Sequence, residues 1–176
     1  MNNIRHRWRK MGGLAKTGSL LAILFVMLFI MAPFLPFSVN YTASMPRGLY
    51  YTSACSPQKN DIIQFRPPER IWNFALDRQY VDPVMEGLLK KIVAVEGDRV
   101  CWVNHMISVN GVVLGMVADL DSQGRPLGHA SGCEILLPDH YLPMAPDFEK
   151  SFDGRYFGFI QSSHIQFCAR PLLTFD

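Results

Sequence analysis

Residues 20–37 run for eighteen positions without a single charged side chain, and the eighteen residues before them carry Arg5, Arg7, Arg9, Lys10 and Lys16 with no acid. That contrast decides what the remainder can fold into, because a run of this length at helical rise spans about 27 Å, close to a bilayer's hydrocarbon core. Basic residues flanking one end set orientation, so the N-terminus is expected on the cytoplasmic side and everything after Phe37 outside it. Pro33 and Pro36 weaken the last turns of the run, while Lys16 can snorkel and bring Leu14 and Ala15 into the usable span. A secretory cleavage site needs small residues in an A-x-A pattern. The segment Tyr41-Thr42-Ala43 has a bulky tyrosine where a small residue belongs, so a retained anchor is expected.

Setting the five N-terminal charges aside leaves 12 basic residues against 15 acidic ones among the 17 and 15 of the whole chain, a remainder of about −3. A basic tail of this kind could in principle hold nucleic acid. Abutting an apolar run, it reads as membrane topology instead, and no nucleic-acid partner is expected. The expected organisation is a cytoplasmic segment 1–18, a transmembrane anchor 19–37 and one domain over 38–176, a size ordinary for a single core.

Downstream of Pro46 the chain reads as short strands separated by turn residues: 48–53, 61–65, 90–95, 99–103, 107–109, 112–114, 134–137 and 156–160. Asn110-Gly111 between two apolar alternations is a strong hairpin signal. Residues 69–87 mix aromatics with charges and are expected to hold a short helix, and 116–131, rich in Gly, Asp and Ser, reads as a loop. The fold expected is mainly β, preceded by one transmembrane helix.

Cys55, Cys101, Cys133 and Cys168 show no C-x-x-C spacing and no histidine at a ligand-like offset. Zinc is not expected, nor any other metal or cofactor. Outside the cytoplasm four cysteines permit disulfides in three pairings that spacing does not separate, and buried free thiols are an equal alternative. His105, His129, His140 and His164 are scattered singly and read as surface or satisfied core residues.

Chemistry concentrates at Ser44 and Lys90. Serine is a poor nucleophile until a base takes its proton, and an unprotonated lysine in an apolar setting can be that base. Leu88, Leu89, Ile92 and Val93 give Lys90 such a setting. Four segments in order then resemble the signal peptidase I family of membrane-anchored serine-lysine peptidases, and more closely its conjugative-transfer, TraF-type branch. Ser44-Met45-Pro46-Arg47-Gly48-Leu49-Tyr50 matches S-M-P-x-G-x-Y in full. Asn60-Asp61-Ile62-Ile63-Gln64-Phe65 resembles a G-D-I-V-x-F strand without its glycine. Lys90 stands eight residues before Asp98, as the family lysine does, with Lys91 in the usual arginine position and Glu96 where proline is common. Ser151-Phe152-Asp153-Gly154-Arg155-Tyr156-Phe157-Gly158 matches S-x-D-S-R-Y-x-G with Gly154 in place of a serine.

The resemblance implies a signal-peptidase-like β-fold with Ser44 as nucleophile and Lys90 as general base. It implies Thr42 and the Ser44 N–H as oxyanion donors, Ser151 as the hydroxyl that hydrogen-bonds and orients the lysine, and Met45 and Pro46 beside the substrate. Asp153 is treated as catalytic in some relatives. A carboxylate beside Lys90 would favour the ammonium, however, so Asp153 is better read as the partner of Arg155. The implied protein is a single-pass bacterial inner-membrane peptidase with its catalytic domain in the periplasm, contacting membrane lipid and cutting a membrane-inserted precursor such as a conjugative pilin. Hydrolysis and cyclisation share every step up to the acyl-enzyme. A general signal peptidase is one alternative, and an inert anchored scaffold of a conjugation system is another. A self-cleaving serine-lysine repressor is excluded by the lack of any DNA-binding segment.

Overall fold

The computed structural model describes residues 13–31 and 35–175. Arg5, Arg7, Arg9, Lys10 and Pro33 lie outside the described residues, as does the side chain of Lys16. The chain divides into two compact units, Met1–Pro36 and Phe37–Asp176.

In the first unit a helix, α1 (Gly13–Met31), runs for 19 residues, and every large apolar side chain from Leu20 to Met31 is exposed. Among the described residues no helix is long and apolar enough to cross a membrane. Phe37, the last residue of the span expected over 19–37, opens the first strand of the second unit, where it pairs with Tyr51.

Among the described residues, the second unit is built from eleven antiparallel strands in two sheets. The strands are β1 (Phe37–Asn40), β2 (Gly48–Ser53), β3 (Ile62–Phe65), β4 (Leu88–Ala94), β5 (Arg99–Val103), β6 (Met106–Val109), β7 (Val112–Met116), β8 (Gly132–Ile135), β9 (His140–Met144), β10 (Ile160–Gln161) and β11 (Ile165–Thr174). The larger sheet has the order β1-β2-β11-β3-β4-β9-β10, and the smaller the order β7-β6-β5-β8. A helix α2 (Glu69–Asp77) follows β3, and a single-turn helix α3 (Gly154–Phe157) precedes β10.

Strand β4 lies inside the large sheet between β3 and β9, and six of its seven residues are buried. One core joins the two sheets, with Val93, Ala94, Leu142 and Met144 packed against Val100, Trp102, Ile107 and Val109. A second lies under α2, where Trp72 and Ala75 meet Ile63, Phe65, Leu88 and Ile92. β5 and β6 bury one face through residues spaced by two, which holds their register, whereas β4 is buried on both faces.

Local sequence explains the turns. Asn110 and Gly111 both take positive φ between the paired Val109 and Val112, a two-residue hairpin turn of the kind expected there. Asn60 stands where the related strands carry glycine, and it takes φ 76°, a left-handed conformation that asparagine tolerates. The turn carrying Glu96 in place of proline still closes, with Gly97 at φ 81° and Asp98 accepting from Val95 N, Lys59 Nζ and Asn110 Nδ2.

Two expectations need correction. Residues 156–160 are not one strand: the Asp153 carboxylate accepts from Arg155 N and starts α3, which ends before Gly158 at φ 77°. Strands β1, β9 and β11 were not expected. β1 merges with the apolar run in sequence, while β9 and β11 contain Pro143 and Pro171. Both prolines sit beside a break in register, where a ladder donor is dispensable. All four cysteines are paired, as Cys55–Cys168 and as Cys101–Cys133 across β5 and β8, with Cα separations of 5.8 and 4.0 Å.

Candidate active site

The loop 41–47 between β1 and β2 carries Ser44, and β4 carries Lys90. Lys90 Nζ donates to Ser44 Oγ at 2.5 Å. Lys90 is only 4 % exposed, and its neighbours Leu88, Leu89, Ile92 and Val93 are all buried. Burial lowers its pKa from the ordinary lysine value to about 8; the Asp153 carboxylate pulls it back up, and the Arg155 guanidinium opposes that pull. A lysine in this position loses its proton near neutrality, and its nitrogen already faces the hydroxyl whose proton it would take.

The loop that presents Ser44 is held by a residue that sequence reasoning missed. Asn40, buried at the end of β1, donates from Nδ2 to the carbonyls of Thr42, Met45 and Pro46 at 3.1, 2.9 and 3.0 Å. Its Oδ1 accepts from Thr42 N and Thr42 Oγ1 at 3.2 and 2.7 Å. One amide thus bonds to the chain on both sides of the nucleophile. Tyr50, fully buried, adds a bond from its hydroxyl to the Pro46 carbonyl at 2.7 Å. The glycine of the first motif has an equally concrete cause: Gly48 takes φ 151°, and a Cβ there would collide with the Leu173 carbonyl on β11. The signal for Asn40 in the sequence was an asparagine four residues before the serine, which reads as an ordinary strand end.

Thr42 lies as expected beside the nucleophile, its Oγ1 3.5 Å from Ser44 Oγ. Its hydroxyl proton, however, goes to Asn40 Oδ1, so in this state it does not point at an oxyanion. Ser151 also departs from expectation. It is buried and lines a cavity of about 130 Å³ together with Ser44 and Lys90, yet its Oγ has no hydrogen-bond partner and makes no bond to the lysine.

Asp153 and Arg155 are both 0 % exposed and form an ion pair with Nε to Oδ1 at 2.9 Å. Asp153 Oδ2 also accepts from Ala145 N, while Arg155 donates to the carbonyls of Ala145, Phe148, Glu149 and Met116. Trp102 Nε1 donates to the Arg155 carbonyl at 3.1 Å. Every polar atom of the pair is consumed in stitching 145–149 and β7 to α3, so the reading of Asp153 as the partner of Arg155 holds in the geometry. Its hydrogen bonds go to neither Ser44 nor Lys90. The glycine that replaces the usual serine between them is required by packing: a Cβ at Gly154 would come within 2.6 Å of Leu142 Cδ1 and 2.7 Å of the Pro143 carbonyl.

Met45 and Pro46 line a further cavity of about 390 Å³ with Ser44, Lys91 and Phe148. Met45 also packs partly against the Tyr50, Leu89 and Ala169 cluster, so pocket and core share it. On the other side of Ser44, the 130 Å³ cavity is walled by Val81, Met85, Leu88, Leu89 and Phe152. It adjoins, through Met85 and Leu89, a groove between 38–41 and 84–87. The arrangement is a serine hydroxyl bonded to a buried lysine, set between two recesses.

Residues 12–170 match the family described as signal peptidase, peptidase S26. The plasmid transfer protein TraF of Escherichia coli is 34% identical over 145 residues, covering 77% of this chain and 82% of that protein. A conjugal transfer protein TraF of Agrobacterium fabrum is 31% identical over 80% of this chain and 84% of its own length. A probable conjugal transfer protein TraF of Sinorhizobium fredii is 37% identical, with 79% and 78% covered. A crystal structure of a signal peptidase I from Enterococcus faecalis superposes with a TM-score of 0.37 at 19% identity, covering 66% of this chain and 98% of that one. On the extent of the family match and the identity to the conjugal transfer proteins, this chain belongs to the signal peptidase family, peptidase S26.

Proposed function

We propose that this chain is a serine endopeptidase of a conjugation system, with Ser44 as nucleophile and Lys90 as general base, acting on a membrane-inserted precursor such as a pilin. The observation that carries the reading is the buried Lys90, with Nζ 2.5 Å from Ser44 Oγ and a pKa lowered to about 8. At pH 7 about a tenth of such lysines are neutral, enough to act as base without a histidine.

In the first step Ser44 Oγ adds to the scissile carbonyl as its proton passes to Lys90 Nζ. The negative charge develops on the carbonyl oxygen, where the Ser44 N–H donates, joined by Thr42 once its hydroxyl turns away from Asn40. Collapse breaks the peptide C–N bond, and the Lys90 ammonium returns its proton to the departing amine. The acyl group left on Ser44 passes to water, giving a linear product, or to an amine of the substrate itself, giving a ring. The groove beside β1 suits an extended peptide added as a strand, with a small side chain in the 130 Å³ cavity.

The apolar run that begins in α1 is proposed to anchor the enzyme in the bacterial inner membrane, the N-terminus cytoplasmic and the second unit periplasmic. An α1 with every large apolar side chain from Leu20 to Met31 exposed supports this. The names of the relatives, plasmid and conjugal transfer proteins, support the assignment to conjugation. Incubating the detergent-solubilised protein with pilin precursors is the test: cleavage by the wild type and none by Ser44→Ala is expected. Intact precursor with both proteins would overturn the reading. A product one water lighter than the linear chain identifies cyclisation.

A further inference from the structure

Three residues far apart in sequence converge on the side of the molecule built by β5, β6 and the loop 117–131. His105 occupies the turn between the paired Val103 and Met106, at φ 56°. Asp119 and His129 flank the tip of the loop. Their ligand-type atoms all lie within 4.8 Å of one another. None of the three touches the serine-lysine site, and the isolated positions of the two histidines in the sequence hid their meeting.

The distances to Asp119 fit a shared ion. His105 Nδ1 and His129 Nε2 stand 3.4 and 3.3 Å from the same Asp119 Oδ1. A charge-assisted hydrogen bond between imidazolium and carboxylate closes to about 2.7–2.9 Å. A tetrahedral zinc ion with Zn–N and Zn–O bonds of about 2.0–2.1 Å holds its ligand atoms about 3.3–3.4 Å apart. Both contacts to Asp119 have the spacing of a coordination edge.

The surroundings of His129 point the same way. Its Nδ1 is 2.8 Å from the Ala130 carbonyl, which only accepts, so Nδ1 carries the hydrogen. That leaves Nε2 facing the Asp119 carboxylate, the ring atom a metal would take. A backbone carbonyl fixing the tautomer of a ligating imidazole is the usual outer support of a metal site. The backbone is braced as well. Val117 N donates to the His105 carbonyl at 2.9 Å, and Leu127 N donates to that of Asp119 at 2.7 Å. Two residues on, Asp121 is held by Tyr80 Oη and Arg125 Nε, both at 2.6 Å. The side chains of His105 and Asp119 are more than half exposed, leaving a path for the ion and room for water at the remaining position.

We propose that His105, Asp119 and His129 bind one divalent transition-metal ion of the zinc class, tying the β5–β6 turn to the loop 117–131. Two imidazoles and one carboxylate favour Zn²⁺ over Mg²⁺ or Ca²⁺, which take oxygen ligands.

The test uses the full chain, solubilised in detergent and free of any histidine tag, titrated with Zn²⁺ against a chromophoric chelator. One equivalent bound by the wild type is expected. At least a tenfold loss of affinity is expected in Asp119→Asn and in the His105→Ala, His129→Ala double variant, with far-ultraviolet circular dichroism unchanged. Replacing His140 and His164 together should leave binding intact, and Zn²⁺ but not Mg²⁺ should slow proteolysis within 117–131. Wild-type affinity weaker than about 100 μM, or full binding by the double variant, would overturn the proposal.

Discussion

Lys90 and Arg155 are both withdrawn from solvent, and the fold treats the two cations in opposite ways. Arg155 has a carboxylate and four backbone carbonyls around it. Lys90 has one hydroxyl, that of Ser44. A buried charge that is fully bonded is a structural element. One that is left nearly unbonded gives up its proton instead, and becomes a base. The difference between these two sites separates the part of the motif region that holds the protein together from the part proposed to do chemistry.

The hardest test of that division is Lys90→Met. Activity is expected to fall by about 10⁴-fold or more, as with loss of a serine's base in other peptidases. Stability should move the other way. The pKa of Lys90 is lowered from 10.5 to about 8, so holding the ammonium in place below pH 8 costs about 3 kcal/mol. The sign of the linkage follows. Between pH 8 and 10.5 the unfolded chain retains a proton that the folded chain has released, so stability rises with pH through that window. The methionine variant should therefore melt higher than wild type at pH 7 and lose that rise. The wild-type kcat/KM should climb through pH 8 and level off above it, as neutral lysine accumulates. A variant that is both inactive and less stable at pH 7 would break the contrast.

Arg155→Met is the converse experiment. Removing one partner of a buried pair leaves Asp153 charged and unpaired, and a loss of about 3–5 kcal/mol is expected by chemical denaturation. The lone carboxylate also raises the Lys90 pKa, since Asp153 pulls it up and Arg155 restrains that pull. Any folded fraction should show its activity limb displaced to higher pH. A limb still centred near 8 would mean that the pair has no electrostatic hold on the base.

Asn40→Ala bears on how the nucleophile is presented. The change removes bonds to Thr42, Met45 and Pro46. A fall of about 10–100-fold in kcat with little change in KM is expected, because a small displacement of the attacking atom is costly. Thr42 gains a free hydroxyl in this variant, so Asn40→Ala combined with Thr42→Val should lose more than the product of the single effects.

How much of this was readable beforehand follows from range. Ser44, Lys90, Asp153 and Arg155 stand in motifs whose members lie a few residues apart, so their chemistry is written locally. The mainly β character was equally legible, because β2, β5 and the Asn110-Gly111 hairpin obey local rules of alternation and turn. What escaped reading depends on distant pairing. β9 and β11 tolerate proline only because their partners break register opposite it. Asn40 looks like any strand end until the loop folds over it. His105, Asp119 and His129 meet only when a turn and a loop close, and the disulfide pairing was set by β5 lying beside β8.

Ser151 tests the contrast most finely, because among the described residues its Oγ is the buried side-chain oxygen left without a hydrogen bond. Its Oγ is buried without a partner and faces the cavity shared with Ser44 and Lys90. A neutral lysine needs little from it. When Ser44 gives up its proton, Lys90 becomes an ammonium with three donors, and Ser44 Oγ is by then bonded to the substrate carbon. A hydroxyl in the same cavity is then the acceptor at hand, and a hydrogen bond to a charged group is worth about 1.5–3 kcal/mol. Ser151→Ala should therefore lower kcat by about tenfold or somewhat more, leave KM in place, and leave stability unchanged or slightly raised, since an unpaired buried hydroxyl is removed. Ser151→Thr, which keeps the hydroxyl, should recover part of the loss. Equal activity in wild type and Ser151→Ala would show that the ammonium is stabilised by water entering the cavity, and Lys90 would then act as a base with no second protein partner.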